Sequence, residues 1–194
     1  MSNLLPSSIH PGTKVMVFVD GENLAIRYYK ILGEQKSEGH IKFKKDVYVW
    51  SGHLNHALTN WGVEVIRKYY YTSVQGDIVK LESFEEELIA CGIESPQVFK
   101  KDKGKGSKRV DISLATDMLS HAFRKNYDVA VLVAGDEDYI PLVEAVKAEG
   151  RRVVLWFVEN GLNHALRRKA DYYFDLGQIL FEDNTTILHR LVTQ

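Results

Sequence analysis

Cysteine is nearly absent from the sequence, which has only Cys91 among its 194 residues. A single cysteine cannot form an internal disulfide, and it excludes zinc or redox sites built on paired cysteines. Long apolar runs are missing too: the longest, Val129–Ala134 and Val153–Val158, have six residues each, whereas a membrane helix needs about 20. The first 13 residues lack a basic segment followed by an apolar one, so we expect no signal peptide, no membrane partner and a cytoplasmic location.

An excess of one charge is also lacking. The chain carries 25 basic and 26 acidic side chains, so it is not a polycation that binds nucleic acid over its whole surface. Its 45% of apolar residues is typical of a folded globular domain. The length predicts a single domain over residues 14–181, between an N-terminal tail, 1–13, and a C-terminal tail, 182–194.

Short apolar runs alternate with helical patterns along the chain. The clearest predicted strands are Lys14–Val19, Val63–Tyr71, Asp128–Ala134 and Val153–Val158. Between the first two of these strands, we expect a helix to about Leu32 and a longer one over Lys44–Trp61. Strands that are apolar on both faces and alternate with helices predict an α/β domain, with a mainly parallel sheet covered on each side.

Carboxylates directly follow two of these strands. Asp20 ends the first apolar run in VFVDGEN, and Asp136 and Asp138 follow a later run in VLVAGDEDY. The carboxyl ends of parallel strands meet at one edge of the sheet, where ligands bind in open α/β folds, so we expect these acids to lie close together. Asp and Gly are also common in turns that follow strands, so a purely structural role is an alternative for either cluster. That alternative accounts less well for both clusters occurring at the same edge.

Another acid, Asp111, opens the helix predicted from Val110. At about 100° per residue it falls inside an apolar arc that includes Ile112 and Phe123, whereas Asp117 falls on the polar stripe, where we expect solvation. An ionised carboxylate on an apolar face is costly unless it is paired or binds a metal, although an acid in a first helical turn also stabilises the helix dipole.

These acids together predict a site for a divalent cation. Carboxylate oxygens are hard ligands that suit Mg²⁺ or Mn²⁺. A metal held in this way can polarise a phosphodiester, generate a hydroxide and stabilise the leaving oxygen. The predicted ligands are Asp20, Asp111, Asp136 and Asp138.

Several segments resemble the NYN (LabA-like) domain of the PIN-like nuclease superfamily. They are VFVDGENL at Val17–Leu24, KGSKRVDISLATDML at Lys105–Leu119, LVAGDEDYIPLVEAVKAEGRRVVL at Leu132–Leu155 and the closing ADYYFDL at Ala170–Leu176. The resemblance covers about Lys14 to Leu180. It implies a three-layer α/β/α, PIN-like fold and a metal-dependent endoribonuclease that hydrolyses RNA.

The resemblance also implies which residues act. The residues that match the family's catalytic set are Asp20, Asn23, Asp111, Asp136 and Asp138. Asp117 matches a further family aspartate, in conflict with its place on the polar stripe, and we treat it as a weaker site residue. Glu137 and Tyr139 stand where relatives often carry a small residue and Phe, and neither change removes a ligand.

A basic stretch precedes Asp111. Lys100–Arg109 holds six basic residues and one acid. We expect Lys105, Lys108 and Arg109 to contact the phosphates of single-stranded RNA, the alternative being a solvated surface loop. The sequence leaves the oligomeric state open, with a homodimer among the options.

Two other functions stay open at this point. An aspartate-nucleophile phosphohydrolase also begins with a strand that ends in Asp, but it needs a second Asp two residues later, where this chain has Glu22. A non-catalytic RNA-binding or regulatory module of the same fold would retain the acids as a structural cluster.

Overall fold

The computed structural model of the protein describes residues 9–33, 36–60, 62–101 and 108–182. The strands are β1 (Lys14–Asp20), β2 (Ile41–Lys44), β3 (Tyr48–Ser51), β4 (Glu64–Val74), β5 (Ser95–Lys100), β6 (Val129–Val133), β7 (Arg152–Phe157) and β8 (Tyr172–Asp175). The helices are α1 (Gly21–Leu32), α2 (Gly52–Asn60), α3 (Ile78–Ala90), α4 (Lys108–Phe123), α5 (Ile140–Ala148), α6 (His164–Lys169) and α7 (Gly177–Leu180). A 3₁₀ turn over Glu137–Tyr139 precedes α5. Within these ranges, no helix is both long and apolar enough to cross a membrane.

Six strands form one parallel sheet in the order β5-β4-β1-β6-β7-β8, which confirms the predicted α/β architecture. The chain runs outward from β1 through β4 to β5, crosses back to β6, and then runs outward again to β8. Right-handed crossovers place α1 to α3 on one face and α4 to α6 on the other. The fold is therefore a three-layer α/β/α sandwich, with the core on both sides of the sheet.

The central strands form where their apolar runs predict them. Every residue of β6 is buried, and so is every residue of β1 after Lys14. A strand that is covered on both faces has to be apolar on both sides, which explains why these runs do not alternate with polar residues. On the neighbouring β4, Tyr69–Tyr71 is buried as well, so these rings belong to the core.

The helix predicted over Lys44–Trp61 is wrong in its first half. β2 and β3 form an antiparallel hairpin, and α2 covers only the second half. Tyr48–Ser51 is buried at every position, because Trp50 packs edge-on against Tyr70 and the Val49 carbonyl accepts a hydrogen bond from the hydroxyl of the same tyrosine. Periodicity cannot distinguish a short buried strand from a buried helical turn, so these contacts with β4 decide the outcome.

Helix α4 buries only part of the face that was expected. Ile112 and Phe123 belong to the predicted apolar arc, yet they are 64% and 59% exposed. The helix packs on β1 and β4 through side chains that recur every four positions, namely Val110, Leu114, Met118 and Ala122. At 100° per residue, the buried face is therefore rotated by roughly 70° from the predicted arc, toward the side of Asp117.

Candidate active site

The candidate site lies at the carboxyl edge of the sheet, between β1 and β6. The chain leaves β1 toward one side of the sheet and leaves β6 toward the other, so a crevice opens between the ends of these neighbouring strands. Ligands bind at such a switch point in open α/β sheets. Asp20 ends β1, and Asp136 and Asp138 follow β6, so three of the predicted acids border the crevice.

Asp20 is only 4% exposed, and both of its carboxylate oxygens accept hydrogen bonds. Oδ1 caps α1 by accepting from the backbone N–H of Asn23 at 3.0 Å, and Oδ2 accepts from the Tyr139 hydroxyl at 2.9 Å. Burial raises the pKa of Asp20 to about 7 in spite of these hydrogen bonds, and the charges of Asp111 and Glu22 add to the increase. This carboxyl is therefore costly to ionise without a nearby cation.

Tyr139 connects the end of the first strand to helix α4. Its hydroxyl lies 2.9 Å from Asp20 Oδ2 and 3.3 Å from Asp111 Oδ1, so two acids from different elements meet at one phenol. A phenol carries one proton, which it donates to one carboxylate or shares between the two. In the sequence, Tyr139 stands out only as a change that removes no ligand. A hydroxyl at a position where relatives often carry Phe is the feature of the sequence that could have indicated this contact.

Asp111 lies in the first turn of α4, where the helix end reaches the crevice. The residue as a whole is exposed, so its expected position on a buried apolar face was wrong, but its carboxyl is partly desolvated, with Oδ1 3.3 Å from the Tyr139 hydroxyl. This desolvation raises the pKa of Asp111, and the charges of Asp136, Glu22 and Asp138 raise it further. The crevice thus collects carboxylates that repel one another, which is the electrostatic environment in which a divalent cation is stabilised.

Glu22 is a member of this cluster that sequence reasoning missed. It lies in the first turn of α1, is 8% exposed, accepts a hydrogen bond from Ser73 Oγ at 2.7 Å and forms an ion pair with Lys101. Its charge raises the pKa of both Asp20 and Asp111. The contact joins residues 79 positions apart, through the pairing of β4 with β5, so no local pattern could have revealed it.

The remaining predicted residues lie on two sides of the loop that follows β6. Asn23 Oδ1 accepts from the backbone N–H of Gly135 at 3.3 Å, which ties this loop to α1. Asp138 lines a groove together with Asp111, whereas Asp136 lines a polar pocket together with Asn23. The crevice is therefore bordered by acids on both sides of the loop.

The donor set suits a hard divalent cation, but the side chains as placed do not enclose one. In the parts of the chain that the structure describes, no three Asp, Glu, His or Cys side chains are arranged to hold a metal ion. The Tyr139 hydroxyl lies between Asp20 and Asp111, the two acids that share a hydrogen-bond partner. By their chemistry, the clustered carboxylate oxygens fit Mg²⁺ or Mn²⁺.

Asp117 does not lie on a freely solvated face, so this expectation was wrong. It is half-buried, and its Oδ2 accepts a hydrogen bond from the buried Tyr71 hydroxyl at 2.9 Å. The cause is the rotation of α4, which turns this side chain toward β4. The contact fastens the helix to the sheet.

Of the basic residues predicted to contact RNA, Lys105 lies outside the described residues. Lys108 and Arg109 are exposed at the beginning of α4. The Arg109 guanidinium lies 4.8 Å from the ring centre of Phe99, a cation–π distance. Both charges stand on the helix whose first turn carries Asp111.

Comparison with known proteins identifies the class to which this fold and site belong. The model of the NYN domain family matches residues 14–177, which is most of the chain. The protein therefore belongs to the NYN domain family, within the PIN-like nuclease superfamily. This match confirms the resemblance seen in the sequence segments.

Relatives of the chain include an archaeal and a cyanobacterial protein. The chain is 25% identical over 165 residues to Uncharacterized protein MJ0482 of Methanocaldococcus jannaschii, a match that covers 81% of this chain but only 63% of the archaeal protein's length. It is 23% identical over 175 residues to Low amplitude and bright protein LabA of Synechococcus elongatus, with 86% of each chain covered. The crystal structure of VPA0982 from Vibrio parahaemolyticus, a protein of unknown function, has the same fold, with a TM-score of 0.63 at 19% identity over 89% of this chain and 96% of that one.

Proposed function

We propose that the protein is a divalent-metal-dependent ribonuclease that hydrolyses phosphodiester bonds of single-stranded RNA. The observation that carries this proposal is the meeting of Asp20 and Asp111 at the switch point of the sheet, with Asp136 and Asp138 beside them. Burial and mutual repulsion raise the pKa values of Asp20 and Asp111, which favours a bound cation. Membership of a nuclease superfamily supports the same reaction class.

The proposed roles follow from position. Asp20, Asp111, Asp136 and Asp138 would hold Mg²⁺ or Mn²⁺, which when bound supplies the polarisation of the phosphodiester and the activation of water. Asn23 positions the loop after β6 through its hydrogen bond to Gly135. Lys108 and Arg109 are placed to contact backbone phosphates beside the first turn of α4.

A cleavage assay with labelled single-stranded RNA and Mn²⁺ tests this proposal. Asp111→Asn and Asp136→Asn keep the size of the side chain but remove charge, and we expect each to lower cleavage by about 100-fold or more. RNA affinity measured in EDTA should stay within a few-fold, and Glu82→Gln, an exposed acid on α3, serves as the matched control. Full cleavage by both variants at saturating Mn²⁺ would contradict the proposed mechanism.

A non-catalytic RNA-binding module is the second candidate, and one observation favours it. The Tyr139 hydroxyl lies between Asp20 and Asp111, where it stabilises the pair without a cation. Binding of RNA by the wild-type protein without turnover in Mn²⁺ would select this candidate. The aspartate-nucleophile phosphohydrolase is disfavoured, because Glu22, which stands at the position of the second Asp, is engaged by Ser73 and Lys101.

A further inference from the structure

A polar pocket of about 430 Å³ opens beside the acidic crevice, on the α1 side of the loop that follows β6. Asn23, Asp136 and Asn163 are among its lining residues, and the first two belong to the candidate active site. The backbone N–H of Asn163 donates to the Gly135 carbonyl at 2.9 Å, which holds the loop after β7 over the end of β6. The pocket is thus continuous with the candidate active site.

Arg27 is the one cationic residue among the described residues that line this pocket. It lies four residues after Asn23 on α1, so both side chains project from the same face of the helix. The side chain is half-buried, yet no carboxylate in the described parts of the chain lies within ion-pair distance of its guanidinium. A partly desolvated guanidinium without a counter-ion is unfavourable, and an incoming anion relieves this cost.

The loop after β7 is shaped to accommodate this arginine. Gly161 lies against the guanidinium, and a Cβ atom at this position would stand 2.1 Å from Arg27 Nε. Its φ of +129° lies in the region that favours glycine, so the backbone can pass close to the guanidinium. The backbone of this loop therefore packs closely against the Arg27 side chain where both line the pocket.

The acids in the pocket leave the charge of Arg27 available. Glu137 is occupied by Asn163, whose Nδ2 donates to Oε2 at 2.9 Å. Asp136, which also lines the pocket, accepts from the backbone N–H of Asp138 at 3.5 Å. The pocket therefore combines one cationic side chain, Arg27, with polar and acidic side chains, of which Asp136 also belongs to the candidate active site. A nucleotide unit has matching groups, namely a phosphate for the cation and sugar hydroxyls that can donate to the acids.

We propose that this pocket binds one backbone phosphate of the RNA strand next to the cleaved bond, with Arg27 as its counter-ion. The inference rests on the proposed RNA substrate. Arg27 would fix the register of the strand relative to the acids without contacting the reacting phosphate. Its guanidinium suits this role because its planar donors can bind two phosphate oxygens at once.

Fluorescence anisotropy with a short, labelled, single-stranded RNA of mixed sequence tests the proposal, in EDTA and at a series of salt concentrations. We expect Arg27→Gln to weaken binding about tenfold at low salt, which is the usual effect of losing one charge-assisted contact. The slope of log affinity against log salt should decrease by roughly 0.7, the value for one phosphate contact on a single strand. Arg27→Lys should keep the slope of the wild type, because the positive charge remains.

Arg124→Gln is the matched control, since this exposed arginine follows α4 at the opposite edge of the sheet. It should change neither affinity nor slope. Equal affinity and slope for Arg27→Gln and the wild type would overturn the proposal, and so would a slope lowered equally by Arg27→Gln and Arg27→Lys. If Arg27→Gln lowers the melting temperature, all the variants are compared at a temperature at which each is fully folded, and the same two outcomes decide.

Cleavage by the wild-type protein in Mn²⁺ reports on the proposed function separately. If RNA binding depends on Arg27 but the wild-type protein shows no turnover, the phosphate subsite is supported and the proposed hydrolytic activity is contradicted. If Arg27→Gln changes neither turnover nor RNA binding, the hydrolytic activity is supported and the phosphate subsite is contradicted.

Discussion

Replacing Asp20 with Asn should stabilise the cation-free protein at neutral and higher pH. Asn keeps an oxygen that can accept from the Asn23 backbone N–H, and its amide can meet the Tyr139 hydroxyl, which then donates to Asp111. What the substitution removes is the cost of ionising a carboxyl that is 4% exposed and surrounded by other acids.

The size and sign of the effect follow from the pKa. Burial raises the pKa of Asp20 from 3.8 to about 7, a difference that corresponds to about 4 kcal/mol. Below about pH 4 the carboxyl is protonated in both states, so it contributes no penalty. Between about pH 4 and 7 the native state retains a proton that the unfolded state has lost, so stability falls as pH rises, and above about pH 7 the full penalty applies.

Urea denaturation of the wild type and Asp20→Asn in EDTA, at several pH values from about 5 to 8, measures this effect. The free energy of unfolding of the variant should exceed that of the wild type by a margin that grows with pH and levels off above about pH 7. For a chain of this size, each kcal/mol corresponds to about 2–4 °C in melting temperature. Glu82→Gln, which removes an exposed acid, should show no such trend.

A margin that stays constant over this pH range, or a variant that is less stable at pH 8, would refute the reasoning. Adding Mn²⁺ should narrow or reverse the difference, because a cation that binds only the native wild type stabilises it by mass action. Such a result would identify Asp20 as a residue whose charge is retained for function at the expense of stability.

Three further outcomes are expected. Tyr139→Phe removes the hydroxyl that competes for two of the proposed ligand oxygens, so calorimetry should find Mn²⁺ bound about tenfold more tightly. Gly21→Ala would bring a Cβ to 1.9 Å from the buried Tyr70 ring, so urea denaturation should show a free energy of unfolding lower by about 1–3 kcal/mol or more. Joint replacement of Lys108 and Arg109 by Ala should lower the slope of log affinity against log salt by about 1.4. The melting temperature should fall by only a few degrees, through loss of the contact between Arg109 and Phe99.

Weaker Mn²⁺ binding by Tyr139→Phe would mean that the hydroxyl orients the acids for the cation instead of competing with it. Gly39→Ala is the control for the glycine substitution, because a Cβ there meets no atom of the described residues within 4 Å. Equal losses of stability in the two variants would rule out a steric cause. If the slope of log affinity against log salt is unchanged in the double variant, the beginning of α4 does not contact RNA phosphates.

The sequence by itself determines the local structure and the order of the elements. The apolar runs of β1, β6 and β7 predict central strands, because only a strand covered on both faces is continuously apolar. It also determines that Asp20 and Asp136 stand at the same edge of the sheet, since acids that directly follow parallel strands must do so. These inferences succeed because they depend on neighbouring residues and on the periodicity of strands and helices.

Tertiary structure alone decides the contacts across the site. Tyr139 meets Asp20 from 119 residues away, and Lys101 meets Glu22 from 79 residues away, because strand order brings these segments together. The rotation of α4, which turns Asp117 toward Tyr71, follows from how the helix packs on β1 and β4 rather than from its own pattern. Local periodicity carries no information about which strands become neighbours, and the placement of these side chains depends on that arrangement.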